Sequence, residues 1–280
     1  MSEETIKNKN EITETWDKVA SKFGRVGPRY WDLFGGRLVE LSNISEGNTV
    51  LDIGCGRGAS LFPSAEKIGI SGKAIGIDIS QEMISETQNQ IDKECYKNIK
   101  LMQMDGGKLN FPDGFFDVVF CGFGIGYLLQ GDTELKNVLR VLKYNGQAAF
   151  SIWGIQEDNK WITELVNKYL PPKPPSQMPI KPSKKPSLSN LDGIKEILTA
   201  SAFRDIKLFE EDKEVVYKDE EEWWEEMWAN AVRGSLEKIS KLGNERLEEF
   251  KNEAFQGLQI YKKSYGICFN RKVIYAFGSK

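Results

Sequence analysis

Val50-Leu51-Asp52-Ile53-Gly54-Cys55-Gly56-Arg57-Gly58 is the stretch on which the fold turns. A short apolar, β-branched run passes straight into three alternating glycines, which reads as a strand feeding a tight turn. Glycine lets backbone turn sharply and approach a ligand with no Cβ in the way. The helix that follows points free N–H groups and its positive dipole end at that ligand. Twenty residues after Gly58, Asp78 ends the next predicted strand. A carboxylate there is placed to accept both hydroxyls of a ribose. Gly54-x-Gly56-x-x-Ala59 also fits the dinucleotide fingerprint, so the glycines alone leave NAD(P), FAD and other nucleosides open. Two features lean away from a dinucleotide. Asp52 stands two residues before the first glycine, where such strands are usually apolar, and Gly58 extends the run to G-x-G-x-G.

Outward from this turn, strands and helices alternate. Residues 73–78, 99–104, 116–121 and 147–153 read as strands, and residues 82–93 and 133–142 as helices. Alternation at this spacing predicts a parallel sheet with helices on both faces, joined by right-handed crossovers. Upstream, Ile12, Trp16, Val19, Ala20 and Phe23 share one helical face. Gly24 and Gly27 break that helix, and Pro28 suits the first position of the next, whose stripe is Trp31, Phe34, Leu38 and Leu41. Residues 171–187 hold seven of the ten prolines and predict an extended loop, read either as a lid or as a tether. A helix over 189–202 and a strand over 205–209 follow, then a helical block over 219–261 and a last strand over 272–277.

The expected organisation is N-terminal helices over 1–48, an α/β core over 49–154, the proline-rich loop over 155–188, a core continuation over 189–209, a mainly helical cap over 210–271 and a final core strand over 272–280. The cap and the proline loop both leave from carboxyl ends of strands, the edge where such sheets bind ligands.

The 280 residues are 40% hydrophobic and 28% charged, ordinary for a soluble globular chain long enough to bury its own core. A net charge of −3 provides no basic field for nucleic acid. No apolar run reaches membrane-spanning length, and the polar first ten residues lack a secretory signal's apolar stretch. Cys55, Cys95, Cys121 and Cys268 are far apart, which fits free thiols in a reducing cytoplasm. There is no histidine, which excludes a Ser-His-Asp triad, a Cys-His dyad and a His-ligated metal, and no metal site is expected.

With Met104-Asp105-Gly106 at the end of the third strand and Phe111-Pro112-Asp113-Gly114-x-Phe116-Asp117-Val118-Val119 after it, four motifs stand in order over residues 50–151. There the chain resembles the class I S-adenosylmethionine-dependent methyltransferases of the small-molecule branch that includes the ubiquinone/menaquinone methyltransferases. Residues 30–40 and 223–237 are more weakly similar to teleocidin-type C-methyltransferases. The resemblance implies a Rossmann-like seven-stranded sheet whose final strand is antiparallel, with S-adenosylmethionine as cofactor and S-adenosylhomocysteine as product. It implies that Gly54, Cys55 and Gly56 meet the methionine part and that Asp78 holds the ribose. Ile79 lies against the adenine, Asp105 binds its amino group, Met104 and Gly106 flank the ring, and Met83 also contacts the cofactor. Cys121 and Gly122 offer backbone carbonyls near the amino group and methyl, and Asp52 either contacts the cofactor or only braces the glycine loop. The family often joins its last two strands by a tight turn, whereas about sixty residues intervene here.

The expected reaction is in-line methyl transfer to a small, largely apolar, natural-product or quinone-like acceptor. Tyr30 and Tyr127 are the candidate bases. Tyr30, Phe34, Phe123, Trp153, Trp224 and Trp228 are the candidate acceptor-pocket walls, the tryptophans of the helical block having packing as their plainer reading. Arg233 is expected to pair with a nearby carboxylate. Three rivals keep their place: a nucleic-acid methyltransferase, opposed by Cys121-Gly122-Phe123-Gly124 where an Asn/Asp-Pro-Pro-aromatic motif would stand; a protein of the same fold acting as a cyclase or non-methylating binder; and a nicotinamide oxidoreductase. The acceptor atom and the oligomeric state are left open.

Overall fold

A computed structural model describes residues 3–129, 133–170 and 186–280. The decisive run forms β1 (Thr49–Ile53), buried from Val50 onward. It lies between β2 (Lys73–Asp78) and β4 (Phe116–Gly122), parallel to both. With β3 (Ile99–Gln103), β5 (Leu142–Trp153), β6 (Arg204–Tyr217) and β8 (Gly266–Ser279), the sheet order is β3-β2-β1-β4-β5-β8-β6, and β7 (Lys262–Lys263) pairs onto β8. β8 runs antiparallel to both neighbours. This is the expected Rossmann-like α/β sheet with its antiparallel final strand.

Alternation along the strands divides the core in two. Val50, Val118 and Ala149 enter one hydrophobic layer, which takes in Leu38 of α2 (Tyr30–Leu41) and Leu61, Ala65 and Ile68 of α3 (Leu61–Ile68). Leu51, Val119 and Ala148 enter the other, with Leu135 and Val138 of α6 (Glu134–Val141). Ile194 and Leu198 of α8 (Leu191–Ala200) join that second layer. Both sheet faces are therefore covered, and β1 is enclosed at the centre.

Several boundaries differ from expectation: β5 begins at Leu142, five residues before the expected strand over 147–153, and Asn159–Tyr169 is helix inside the stretch 155–188 expected as loop, its Leu165 and Tyr169 buried against the core. Pro28 is not the first helical residue; α2 starts at Tyr30 after Arg29, which turns left-handed (φ 52°). β6 continues eight residues past the expected end at Phe209, and β8 begins six before the expected Lys272, so the two pair from Arg204↔Ser279 to Tyr217↔Ile267. The extension is held by buried Val215, Tyr217, Ile267 and Phe269, which share one core layer, and by cross-strand charge, Lys272 Nζ lying 2.8 Å from Glu210 and 3.6 Å from Asp212. Such pairs support a ribbon whose outer edge is polar, and the acidic run hid it from a reading based on apolar residues. Only residues 218–265 lie between the strands. They hold α9 (Glu220–Trp228), α10 (Arg233–Ser240), α11 (Asn244–Leu258) and a 3₁₀ turn over Gln259–Tyr261.

α1 (Glu3–Val19) ties these parts together. Lys9 reaches Asp105 at 2.7 Å, Asp17 accepts the Ser80 hydroxyl at 2.5 Å, and Lys18 meets Glu237 of α10 at 2.8 Å. α4 (Gln81–Glu94) is capped by Ser80, which accepts from Met83 N. α5 (Ile125–Leu128) and α7 (Asn159–Tyr169) complete the chain order. The proline-rich stretch, and with it the lid-or-tether question, lies almost wholly outside the described residues. Among the described residues, no helix is long and apolar enough to cross a membrane.

Candidate active site

The glycines after β1 adopt the backbone that the sequence demanded of them. Gly54, Gly56 and Gly58 have φ of 68°, 47° and 85°, which L side chains rarely adopt. A Cβ on Gly54 would meet no atom within 4 Å; it would stand in open space. That space is a cavity of about 650 Å³ along the carboxyl ends of the strands. Gly54, Cys55 and Gly56 line it, as do Asp78, Ile79, Met83, Met104, Asp105, Gly106, Cys121 and Gly122.

The carboxylates here are held differently. Asp78, 9% exposed, accepts Ser80 N on Oδ1 and Gly56 N on Oδ2, each at 2.9 Å, so it locks the glycine loop to the end of β2. Burial pushes its pKa above the usual carboxylate range, against those backbone bonds. Asp52 lies behind the cavity rather than on its wall and accepts the Ser60 hydroxyl at 2.8 Å. Burial raises it to about 7, against the Ser60 bond. Its Oδ1 and the Ser151 hydroxyl are buried without a protein partner. Asp105 is engaged by Lys9 and by Gly107 N, which hold it below the usual range although partial burial opposes them.

The same cavity continues between aromatic walls. Phe123, left-handed at φ 55°, turns the chain out of β4 and lays its ring 4.3 Å from Trp153. Trp31 meets both edge-on, at 5.2 and 5.5 Å. Tyr30, Trp16, Phe23, Trp223 and Met227 also line it. Tyr127 lines it near Trp16, whose ring meets it edge-on at 6.0 Å.

Three expected wall residues are elsewhere. Phe34 sits behind the lining, packed on Trp153 and Phe123 at 5.7 and 6.0 Å. Trp224 and Trp228 pack on each other at 6.1 Å and outward, Trp224 on Phe250 and Trp228 under Arg233 at 5.6 Å. Arg233 itself pairs with Glu237, as expected of it. The helical phase explains the error: Trp223, Glu226, Met227 and Asn230, at i, i+3, i+4 and i+7, form the inward face, so Trp224 and Trp228 point away.

That inward face carries a polar group which the sequence reading missed. Glu226, 3% exposed, accepts the hydroxyls of Tyr30 at 2.9 Å and Tyr217 at 3.1 Å. Beside it Arg271, its guanidinium 4.4 Å from the Phe269 ring, donates to Asp158 at 2.6 Å. Arg271, Asp158, Asn230 and Gln156 line the cavity, which is less purely apolar than expected. The available signal was a Glu and an Asn at helical spacing on an apolar face.

A doubly wound sheet of this order, with a glycine loop, an acid ending β2 and an acid after β3 around one cavity, defines the class I methyltransferase fold. Residues 5–155 match the ubiE/COQ5 methyltransferase family, and the chain belongs to that family. It is 38% identical over 143 residues to aklanonic acid methyltransferase DauC of Streptomyces sp. (strain C5), covering 51% of this chain and 65% of that one. It is 31% identical over 144 residues to demethylmenaquinone methyltransferase of Lactococcus lactis, covering 50% of this chain and 57% of that one. The chain thus spans less than two thirds of these relatives' length. The YcgJ protein of Bacillus subtilis superposes with a TM-score of 0.58 at 18% identity, over 88% of this chain and 97% of that one.

The cofactor of this family is S-adenosylmethionine, and the residues present fit it. Gly54 leaves a Cβ-free opening, the buried carboxylate of Asp78 holds the loop beside it, and the buried Ser151 hydroxyl lines the cavity without a protein partner.

Proposed function

We propose that this protein transfers a methyl group from S-adenosylmethionine to a small, largely apolar acceptor by in-line displacement. The observation that carries the reading is the single cavity lined both by the glycine loop with Asp78 and by the Phe123–Trp153–Trp31 aromatic wall. Methyl donor and acceptor would share one enclosure, and holding two reactants aligned can contribute roughly 7–11 kcal/mol. In this reading Gly54, Cys55 and Gly56 receive the methionine part and Asp78 the ribose hydroxyls. Ile79, Met83, Met104 and Gly106 bound the adenine. Asp105, already engaged by Lys9, offers the adenine amino group its remaining acceptor capacity. Cys121 and Gly122 face the amino group, and Asp52 acts from behind through Ser60.

When bound, S-adenosylmethionine supplies an already electrophilic methyl, so the chain's part is to position, to exclude water and to manage one proton. Tyr30, Phe123, Trp153 and Trp223 would hold the acceptor, with α1, α2 and α9–α11 as the cap. A quinone-like or polycyclic acceptor suits these walls and accords with the named substrates of the two relatives. Four unbridged cysteines suit a reducing cytoplasm.

The test is acceptor-dependent release of S-adenosylhomocysteine over a panel of hydroxynaphthalenes, hydroxyanthraquinones and short RNA. Release with the first two and none with RNA is expected; release with RNA alone overturns the acceptor assignment. Asp78→Ala should weaken cofactor binding about ten- to a hundredfold, as loss of charge-assisted bonds of roughly 1.5–3 kcal/mol requires. Unchanged affinity refutes the ribose role.

A further inference from the structure

We infer that Glu226 takes the acceptor's proton, reached through the hydroxyl of Tyr30; this rests on the methyl-transfer reading above. The chain has no histidine, so a proton acceptor at this end of the cavity must be a carboxylate or a tyrosine. Tyr30 stands on the cavity wall. Its hydroxyl donates to Glu226 Oε1 at 2.9 Å, within reach of direct proton transfer. The chain makes room for this carboxylate: Gly27, left-handed at φ 73°, lacks the Cβ that would stand 3.1 Å from Glu226 Cγ.

A buried carboxyl costs free energy that an apolar side chain would avoid. Glu226 has no cation within ion-pairing distance among the described residues. Its neighbours are the hydroxyls of Tyr30 on α2 and Tyr217 on β6, the side chain of Asn230 after α9, and Arg271 on β8, which is itself bound to Asp158 before α7. Asn230, whose Oδ1 accepts from Val232 N at 2.8 Å, bears on Glu226 through its side chain. Burial is the largest influence on Glu226 and raises its pKa, while Asn230, the two tyrosine hydroxyls and Arg271 hold it back. A raised pKa makes the carboxylate a stronger proton acceptor than an ordinary one.

The step balances. The acceptor's O–H or acidic C–H bond breaks, its proton passes to Tyr30 Oη, and the Tyr30 proton passes to Glu226 Oε1. The acceptor's electron pair forms the new bond to the methyl carbon, and the pair of the broken carbon–sulfur bond stays on sulfur. One positive charge is discharged and one proton is held by Glu226, to return through Tyr30 to water once product leaves. Tyr30 is the catalytic residue; Glu226 positions it and stores the proton. The acceptor class is a phenol or enolisable carbonyl compound, and Asn230 and Arg271 line the same cavity.

The test compares the parent with Glu226→Gln and Tyr30→Phe. Each is first titrated with S-adenosylhomocysteine, and all three should bind within about threefold of one another. 1-Naphthol is then bound to each complex and its ionisation followed by absorbance. The Glu226 carboxylate opposes the naphtholate's charge, so 1-naphthol should ionise at least one pH unit higher on the parent than on Glu226→Gln. With an acceptor that turns over, kcat should fall by about 10²–10⁴ with KM little changed, and the acid limb of the kcat/KM profile should vanish. Equal naphthol ionisation on the parent and Glu226→Gln, or a loss confined to KM, overturns the relay while methyl transfer by the parent stands. A parent that binds S-adenosylhomocysteine but transfers no methyl overturns both. Should Glu226→Gln fail to fold, Tyr30→Phe, which keeps the ring, decides the matter by kcat, KM and the kcat/KM profile.

Discussion

Two adjacent glycines on α2 give opposite predictions when each is changed to alanine. Gly35 faces the glycine loop, and a Cβ there would stand 2.3 Å from the carbonyl oxygen of Ala59 and 2.4 Å from its carbon. Real Cβ atoms essentially never approach closer than 3.0 Å, so helix or loop must retreat by about 1 Å. Gly36 has nothing within 4 Å. Both substitutions gain the same helix propensity, about 1 kcal/mol. Their difference therefore isolates the clash, which at overpacked sites costs about 1–3 kcal/mol. At roughly 2–4 °C per kcal/mol for a chain of this size, Gly35→Ala should melt about 2–12 °C below Gly36→Ala. Because Ala59 lines the cavity, Gly35→Ala should also weaken S-adenosylmethionine binding about tenfold, with Gly36→Ala at parental affinity. Scanning calorimetry and isothermal titration on the two variants read both effects. Equal melting temperatures and equal affinities would refute the idea that α2 presses on and sets the glycine loop.

Burial of Asp52 makes a pH prediction. Its folded pKa, about 7, lies above the unfolded value of 3.8, so its stabilising contribution is complete below about pH 4 and is lost as pH rises to about 7. Asp52→Asn should therefore gain on the parent by about 1.4 kcal/mol per pH unit between pH 5 and 7, measured by denaturant titration; a pH-independent difference sinks the assignment. Arg271→Met strands Asp158 and should destabilise by about 3–5 kcal/mol, while Arg271→Met with Asp158→Asn recovers part of that; no recovery in the double variant means the pair is not coupled. Trp153→Leu should raise KM for the acceptor at least tenfold with cofactor affinity unchanged, whereas Trp228→Leu should leave both alone. Equal KM effects would put Trp228 on the cavity wall after all.

The core was legible because its signals are local. Apolar strands bounded by glycine, and an acid at a fixed distance from the turn, report backbone geometry directly, and Gly54, Gly56 and Asp78 came together as their spacing required. The ribbon of β6 and β8 was not legible, because Glu210, Asp212 and Lys272 support it by pairing across strands that are far apart in sequence. The inward face of α9 failed for another reason. Trp223, Trp224 and Trp228 are equally apolar, and only the phase of the helix against the cavity separates them. Glu226 was read past because its partners, Tyr30 and Tyr217, come from α2 and β6, and no local pattern announces that meeting. The hold of Lys9 on Asp105 is likewise a contact across 96 positions.

The central claim is that the glycine-loop cavity receives S-adenosylmethionine, and calorimetric titration of the whole chain with S-adenosylmethionine, S-adenosylhomocysteine, NADH and NADPH tests it most directly. Micromolar binding of the first two with none of the nicotinamides is the predicted result. Binding of a nicotinamide cofactor alone would contradict the account and turn Gly54-x-Gly56-x-x-Ala59 back into a dinucleotide fingerprint.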